Sequence, residues 1–426
     1  MSRLIEKFIR YVKIDTQSDF TSNTVPSTMK QKDLSRLLVS ELKEMGLEAH
    51  LDEFGYVYTK LESNLDYEVT PIGFIAHVDT SPDAPGANVN PKIIKKYDGG
   101  DIVLNENITM NPENSEALNH VIGEDIIVTD GTTLLGADDK AGVAEIMEML
   151  HLLTDDKTIK HGDIYVCFTP DEEIGRGADH FNYEWFKADF AYTLDGSEVG
   201  GIEYENFNAA SANLKFEGIS IHPGSSKNQM VNSTHLAFEF HSLLPTFLNP
   251  RYTELYEGFN HLSEISGGVE ETNMHYIIRN HSMELFNEQK EDFRKIAKYL
   301  NEKYGYNAVT LEITDSYFNM YEVIKDNMHI VELAKNAITN VGLTPKTLPI
   351  RGGTDGARLT FEGLPCPNLG TGAFNFHGRM EFASINQMEK AVKVILEIIR
   401  LTTIKWLYIN KGWNQWFHPF TLFSFI

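Results

Sequence analysis

A histidine and an aspartate stand two residues apart at the end of a short apolar run. His77 and Asp79 close the stretch 72–79, whose length is that of a buried strand. Alternate side chains of a strand share one face, so the Asp79 carboxylate can approach the His77 imidazole or a metal that the imidazole binds. A lone histidine near a strand end is more often structural than a ligand. The pair therefore gains meaning only from the residues that follow it.

Two adjacent aspartates form a second group of this kind. Asp138 and Asp139 precede a predicted helix over about 141–153, at a position where the helix dipole and free amide groups favour anions. Helix capping would account for one aspartate but not for two in succession followed by Lys140. Helix capping therefore does not explain this pair by itself.

Three consecutive acids, Asp171, Glu172 and Glu173, directly follow the predicted strand 162–169. In a partly buried pocket these carboxylates would repel one another by several kcal/mol unless a cation neutralised them. On a solvated loop the same run would be harmless, and most such runs are of that kind.

A further predicted strand ends at Asp195. Four predicted strands, alternating with helices, thus end at residues able to bind a metal. Because ligands of an open α/β sheet collect at the carboxyl ends of its strands, we expect these four ends to converge on one crevice.

The order of predicted elements indicates an α/β protein that carries a second, smaller unit. The first part of the larger domain spans 1–206, an inserted α+β domain spans 207–320, and the larger domain resumes over 321–404. Residues 405–426 form an atypical aromatic C-terminal tail, whose polar residues argue against a membrane span.

Two irregular segments are of interest. The stretch 81–125 is rich in proline, glycine and asparagine, and we predict a functional loop there. His222 lies in the turn 221–224 of the inserted domain. Taken alone, a histidine in such a turn is more often structural than catalytic.

Composition excludes several classes of function. The chain has 426 residues, enough for two domains, and a formal net charge of −24. Nucleic acids and anionic membranes require a basic surface, so neither is an expected partner. Cys167 and Cys366 are too few for a disulfide framework, and a reducing cytoplasm fits. The amphipathic N-terminus resembles neither a signal peptide nor a spanning helix.

Taken together and in their order, these motifs resemble the di-zinc peptidases of the M20 family. The resemblance covers about residues 1–404. It implies a zinc-peptidase-like catalytic domain with an inserted, ferredoxin-like lid domain. The motifs that carry it are His77-x-Asp79, Gly136-Ala-Asp-Asp-Lys-Ala-Gly142, Asp171-Glu172-Glu173, Asp195-Gly196 and His377-Gly378.

The resemblance also implies a metal centre that binds two Zn²⁺ ions per chain. Its five ligands would be His77, Asp138, Glu173, Asp195 and His377. Asp138 would bridge the ions, with His77 and Asp195 on one and Glu173 and His377 on the other. The peptide bond between Asp138 and Asp139 would be cis.

For catalysis, the resemblance implies a metallo-aminopeptidase of peptide catabolism that releases the N-terminal residue from tripeptides. A zinc-bridging water would attack the scissile peptide bond, with Glu172 as general base. Asp79 would orient His77, and His222 would reach the scissile carbonyl after domain closure.

Recognition of a short peptide requires groups that bind its ends. Arg279 and Arg351 are candidates for the substrate carboxylate, because a guanidinium matches that geometry. An ordinary surface ion pair is the alternative for each. The inserted domain could also form a homodimer through its edge strands.

Two other functions stay open from sequence alone. One is a different M20-type reaction, such as dipeptide or N-acyl amino acid hydrolysis. The other is a non-catalytic protein that binds peptides or metals on the same fold, although Glu172 would then have little reason to stand beside Glu173.

Overall fold

The computed structural model describes residues 1–404. The α-helices are α1 (Arg3–Val12), α2 (Gln31–Glu44), α3 (Ala137–Asp155), α4 (Ser233–Leu243), α5 (Met283–Tyr304), α6 (Tyr321–Ile324), α7 (Met328–Asn340), α8 (Asp355–Phe361) and α9 (Ile385–Thr402). The strands are β1 (Ala49–Leu51), β2 (Val57–Leu61), β3 (Ile72–His77), β4 (Lys92–Ile94), β5 (Ile102–Val103), β6 (Thr109–Met110), β7 (Ile126–Val128), β8 (Ile164–Thr169), β9 (Phe190–Gly196), β10 (Ile202–Glu203), β11 (Asn208–Glu217), β12 (Phe259–Gly267), β13 (Glu271–Asn280), β14 (Val309–Tyr317), β15 (Asn368–Gly370), β16 (Ala373–Phe374) and β17 (Phe382–Ser384).

A seven-stranded sheet in the order β1-β2-β8-β3-β9-β15-β10 forms the centre of the larger unit. Strands β8, β3, β9 and β15 run parallel to one another, whereas the pairs β1–β2, β2–β8 and β15–β10 are antiparallel. Every residue of β3 and β8 is buried, as expected for parallel strands that are covered on both faces. The predicted α/β class is confirmed.

Alternate residues of the central strands enter two different cores. Phe74 packs with helices α1, α2, α3, α7 and α9 on one face, and Ile75 packs with an aromatic cluster around Tyr58 on the other. Helix α3 contributes apolar residues on nearly all of its sides, which is typical of a helix enclosed by other elements.

The segment between β10 and α6 builds a second, fully antiparallel sheet in the order β12-β13-β11-β14. Its chain order, with α4 after β11 and α5 after β13, is that of a ferredoxin-like unit. Helices α4 and α5 share a separate core with this sheet. The chain enters this second unit near Asn206 and leaves it near Asn319, and the buried side chains of these two residues connect the segments. Asn319 Oδ1 accepts the Asn206 N–H at 3.0 Å, and Asn206 Oδ1 accepts the Met320 N–H at 2.7 Å.

Residues 81–125 are more ordered than the sequence suggested. They contain β4, β5, β6 and a short 3₁₀ turn. Strand β4 is the edge of a third sheet, in the order β16-β17-β7-β4. The prediction of one irregular loop is therefore wrong, and the reason is that strands of two or three residues carry no detectable period.

Among residues 1–404, no helix is long and apolar enough to cross a membrane. The aromatic tail 405–426 lies outside the described residues.

Candidate metal centre

Three neighbouring parallel strands bring predicted ligands to one edge of the main sheet. His77 is the last residue of β3 and pairs with Thr169, the last residue of β8. Glu172 and Glu173 follow β8 within four residues, and Asp195 lies near the end of β9. This edge carries the carboxyl ends of the strands, where ligands of such sheets bind.

Asp138 and His377 reach the same place from outside the main sheet. Asp138 lies at the start of α3 with a non-helical backbone, and its peptide bond to Asp139 is cis, as the resemblance implies. His377 lies on the loop between β16 and β17. The strand that precedes Asp138, β7, belongs to the third sheet. The four predicted groups do converge, but only three of them follow strands of the main sheet, because Asp138 lies at the start of a helix instead.

The first group of side chains surrounds the His77 ring. Its Nε2 atom lies 2.8 Å from Asp138 Oδ1 and 3.5 Å from Asp195 Oδ1. Glu172 Oε2 is 4.0 Å from the same nitrogen. The potential ligand atoms of His77, Glu172 and Asp195 all lie within 4.8 Å of one another. Geometry alone therefore admits Glu172 as a metal donor as well.

The second group surrounds the His377 ring. Its Nε2 atom lies 2.8 Å from Glu173 Oε2 and 3.3 Å from Asp138 Oδ2. One carboxylate, that of Asp138, thus contacts His77 through Oδ1 and His377 through Oδ2. A carboxylate shared in this way has the geometry of a bridge between two ions.

Asp79 is not one of the predicted ligands, but it contacts both His77 and the acidic turn after β8. It is fully buried, and its Oδ1 atom lies 3.4 Å from His77 Nδ1. The same carboxylate accepts the backbone N–H of Glu172 at 3.0 Å and that of Glu173 at 3.2 Å. Asp79 therefore fixes the His77 ring and the acidic turn relative to each other.

Crowding of these groups perturbs their pKa values. Burial, with the neighbouring Asp138 charge, raises the pKa of Glu173 to about 8 and that of Asp195 to about 6. Burial acts against ionisation of Asp138 as well, but hydrogen bonds from His377 and His77 lower its pKa. Hydrogen bonds to Asp138 and Glu173 raise the pKa of His377 to about 11. The charged forms of the two imidazoles and of Asp138 thus favour one another.

The residues present fit a pair of divalent cations. Imidazole nitrogens and carboxylate oxygens are donors that zinc accepts. Within residues 1–404, the buried Oε1 atom of Glu173 accepts no hydrogen bond, and such an orphaned oxygen facing other carboxylates is what a cation would satisfy.

Comparison with known proteins agrees with this geometry. The model of peptidase family M20/M25/M40 matches residues 130–401. The chain belongs to this peptidase family. The Peptidase T of Clostridium perfringens is 54% identical over 402 residues, covering 94% of this chain and 99% of the relative. That of Caldanaerobacter subterraneus is 53% identical over 404 residues, covering 94% and 99%.

Solved structures share the fold. The aminopeptidase PepT of Bacillus cereus has a TM-score of 0.76 at 24% identity, covering 94% of this chain and 98% of its own. A tripeptidase of Staphylococcus aureus has a TM-score of 0.75 at 25% identity, with the same coverage. The predicted enzyme class, a hydrolase of the metallopeptidase type, is confirmed. The M20 fold is confirmed as well.

His222 of this M20 peptidase stands apart from the metal centre. It is exposed at the start of a 3₁₀ turn, where its Nδ1 atom accepts the Gly224 N–H at 3.1 Å. Within residues 1–404 it forms no hydrogen bond or ion pair with the predicted ligands.

The two predicted substrate-binding arginines have different surroundings. Arg279 is half-buried, its Cζ lies 5.3 Å from the Tyr317 ring centre, and it donates through Nη1 to the carbonyls of Ala210 and Ile278. Arg351 donates to the 253–257 segment from both terminal nitrogens, at 2.8–3.3 Å. Substrate binding by Arg351 would require these bonds to break.

Sequence analysis assigned no role to several polar residues around this M20 centre. Asp139 accepts the His77 backbone N–H at 3.2 Å. Asp83 Oδ2 lies 3.5 Å from His377 Nδ1. Asp171 points away from the ligands and accepts hydrogen bonds from Ser27 and Gln31 instead. Glu381 is buried beneath the start of α3. The sequence places Asp139 and Asp171 directly beside predicted site residues, but it gives no signal for Asp83 or Glu381.

Proposed function

We propose that this chain is a zinc-dependent aminopeptidase that releases the N-terminal residue from tripeptides. Relatives named Peptidase T, 52–54% identical over nearly the whole chain, support the reaction. The tripeptidase of Staphylococcus aureus supports the substrate length. The observation that carries the proposal is the Asp138 carboxylate, which contacts His77 at 2.8 Å and His377 at 3.3 Å through different oxygens.

In this proposal the five predicted ligands hold two zinc ions. His77 and Asp195 would hold one ion, Glu173 and His377 would hold the other, and Asp138 would contribute to both. When bound, zinc would lower the pKa of the attacking water to about 7 and polarise the scissile carbonyl.

Glu172 is the proposed general base. Its carboxylate lies at the edge of the ligand cluster, 4.0 Å from His77 Nε2, and its backbone is held by Asp79. From this position it can accept a proton from the attacking water and later deliver the proton to the leaving amine.

The inserted domain, 207–320, is the proposed lid. Its closure would bring exposed His222 to the scissile carbonyl, where the ring would stabilise the developing negative charge. Arg279, half-buried beside Tyr317, is the proposed partner of the substrate carboxylate. His222→Ala should lower kcat by about 10²-fold and leave the metal content at the wild-type value.

Two further features belong to the proposal. The two cysteines are free and buried, which favours a reducing cytoplasm. Strand β12 lies at an edge of its sheet, and a homodimer through this lid sheet is proposed on that ground.

The first experiment measures metal content and cleavage together. Purified protein should contain about two zinc ions per chain and cleave a tripeptide with release of its N-terminal residue. A chelator should abolish this activity, and added zinc should restore it. The N-acetylated tripeptide and a dipeptide are the comparison substrates. Equal cleavage of the blocked tripeptide would replace the aminopeptidase proposal with an acyl amino acid hydrolase, and preference for the dipeptide would replace it with a dipeptidase.

A further inference from the structure

We propose that Glu381 is a positioning residue that fixes the backbone of Asp138 relative to His377 and thereby sets the affinity of the metal centre. The inference rests on the proposed function, because it concerns the same ions. Glu381 is 1% exposed, and within residues 1–404 its carboxylate accepts hydrogen bonds from three backbone N–H groups.

The Glu381 carboxylate is enclosed by the turn that leads into α3. Its Oε2 atom accepts the backbone N–H groups of Leu135 and Gly136, each at 2.7 Å, and Oε1 accepts the Asp138 N–H at 3.0 Å. Three amides that converge on one carboxylate form an anion-binding nest at a helix N-terminus. The buried side chain therefore dictates the path of the backbone up to Asp138.

Glycine at position 136 is part of this nest. Its φ of +76° is left-handed, and a Cβ there would lie 3.1 Å from Thr80 Cγ2. Both facts favour glycine. Glycine therefore allows the left-handed backbone by which the Gly136 N–H reaches the Glu381 carboxylate.

Glu381 also lies close in sequence to a second proposed ligand, His377, which precedes it by four residues. The loop between them is held by Asn375 Nδ2, which donates to the Met380 carbonyl at 3.0 Å, and by Thr129 Oγ1, which donates to the Arg379 carbonyl at 3.2 Å. Strand β17 then pairs antiparallel with β7, which precedes the turn at Leu135. Glu381 thus stands where the two ligand-bearing segments meet.

This arrangement joins two of the three ligands of one ion. Asp138 and His377 approach each other at 3.3 Å, although His377 is the more exposed, with 44% of its side chain accessible. The backbone N–H of Glu381 donates to the Gly378 carbonyl, next to His377, at 3.2 Å. Glu381 therefore contacts the backbone near both Asp138 and His377, whereas the Glu173 N–H donates to Asp79 instead.

Glu381→Gln tests the link with minimal change in shape. A glutamine keeps one acceptor oxygen but turns an NH₂ group toward a backbone N–H, so one arm of the nest is lost. We expect metal affinity to fall by about 10–100-fold, with zinc content after dialysis against dilute chelator dropping from two per chain toward one. At saturating zinc, kcat should recover most of the loss while KM for the tripeptide stays near the wild-type value.

Glu124→Gln is the matched control. The Glu124 carboxylate accepts hydrogen bonds from Ser384 Oγ at 2.5 Å and Gln387 Nε2 at 3.3 Å. It therefore contacts the same β17–α9 region without touching the turn at Asp138. This variant should retain two zinc ions with unchanged affinity, even if its melting temperature falls.

The readouts are zinc per chain by mass spectrometry, zinc affinity by chelator competition, and thermal unfolding of the metal-free proteins. Wild-type affinity in Glu381→Gln, or an equal loss in Glu124→Gln, would overturn the inference. If Glu381→Gln does not fold, Glu381→Asp is judged by the same criteria, because it keeps the charge but shortens the reach. Wild-type protein that binds no zinc would instead contradict the proposed function.

Discussion

Asp79 stands directly behind His77, with its Oδ1 atom 3.4 Å from the His77 Nδ1 atom. The same carboxylate accepts the backbone N–H groups of Glu172 and Glu173. One buried side chain thus orients a proposed ligand on β3 and the acidic turn after β8. The relative position of imidazole and proposed base depends on it.

Asp79→Asn should disturb this alignment more than it disturbs the fold. An amide offers one acceptor oxygen where the carboxylate offers two, so one of its backbone partners or the His77 contact is lost. We expect kcat/KM for a tripeptide to fall by about 10–100-fold at saturating zinc. Steady-state kinetics with parallel metal analysis checks this.

Asp52→Asn is the control for Asp79. Asp52 also accepts backbone N–H groups, those of Phe54 and Tyr56, but in a turn away from the metal centre. It should keep wild-type kinetics. Equal kinetics in Asp79→Asn and wild type would show that Asp79 has no orienting role.

Glu172→Gln separates the two roles that the geometry permits for this residue. As general base, Glu172 is needed for proton transfer but not for metal binding, so the variant should keep both zinc ions and lose about 10³-fold in kcat. If Glu172 is instead a metal donor beside His77 and Asp195, the variant should lose zinc along with activity. Metal analysis of the purified variant decides between the two. Glu184→Gln, whose side chain is 96% exposed, is the control.

Part of this centre could be predicted from the sequence. His77, Glu172, Glu173 and Asp195 lie at the ends of strongly apolar segments, so their convergence follows from the topology of a parallel sheet. The position of Glu381 in the centre, by contrast, could not be predicted from the sequence. It stands before a strand of three residues, and its partners are backbone amides more than 240 positions earlier in the chain. Almost every residue carries a backbone N–H, so the sequence does not show which of these groups a distant carboxylate will accept.

Arg351 shows a different limit. An arginine in a glycine-rich loop has the right chemistry for a carboxylate, yet the folded chain supplies carbonyl oxygens from Leu255 and Glu257 at 2.8 and 2.9 Å. The sequence shows that a hydrogen-bond donor such as Arg351 is present, but not which protein acceptors it contacts in the folded chain. The same holds for His222, whose distance from the centre depends on how the two sheets are arranged.

The two arginines should therefore respond differently to replacement. Arg279→Ala should raise KM for a tripeptide by about 10-fold or more, because a charge-assisted hydrogen bond to the substrate carboxylate contributes roughly 1.5–3 kcal/mol. Arg351→Ala should mainly lower the melting temperature, since its guanidinium holds the 253–257 segment. Kinetics and thermal unfolding of both variants check this. A large KM increase in Arg351→Ala with unchanged stability would restore Arg351 as a substrate-binding residue.

Glu145 offers a test of stability that is independent of catalysis. It lies in the middle of α3, is fully buried, and neither of its carboxylate oxygens has a hydrogen-bond partner within residues 1–404. Burial raises the pKa of this carboxyl well above its ordinary value. The folded protein therefore binds a proton here that the unfolded chain releases at about pH 4.3. Stability is lost as pH rises above that value, because the folded state must keep the proton or bury a charge.

Glu145→Gln should remove this pH-dependent loss, and Glu145→Met should in addition remove an unsatisfied polar group. At pH 7 we expect the free energy of unfolding to rise by about 1–3 kcal/mol, and the gain over wild type to shrink toward pH 4. Denaturant unfolding at several pH values, with zinc held constant, measures it. Glu148→Gln, three positions along the same helix, is the matched control. Glu148 accepts a hydrogen bond from Arg3 at 2.9 Å and lies 3.5 Å from Lys7 Nζ, so the same substitution there should destabilise the protein. A Glu145→Gln variant less stable than wild type at pH 7 would mean that the carboxylate has a stabilising partner.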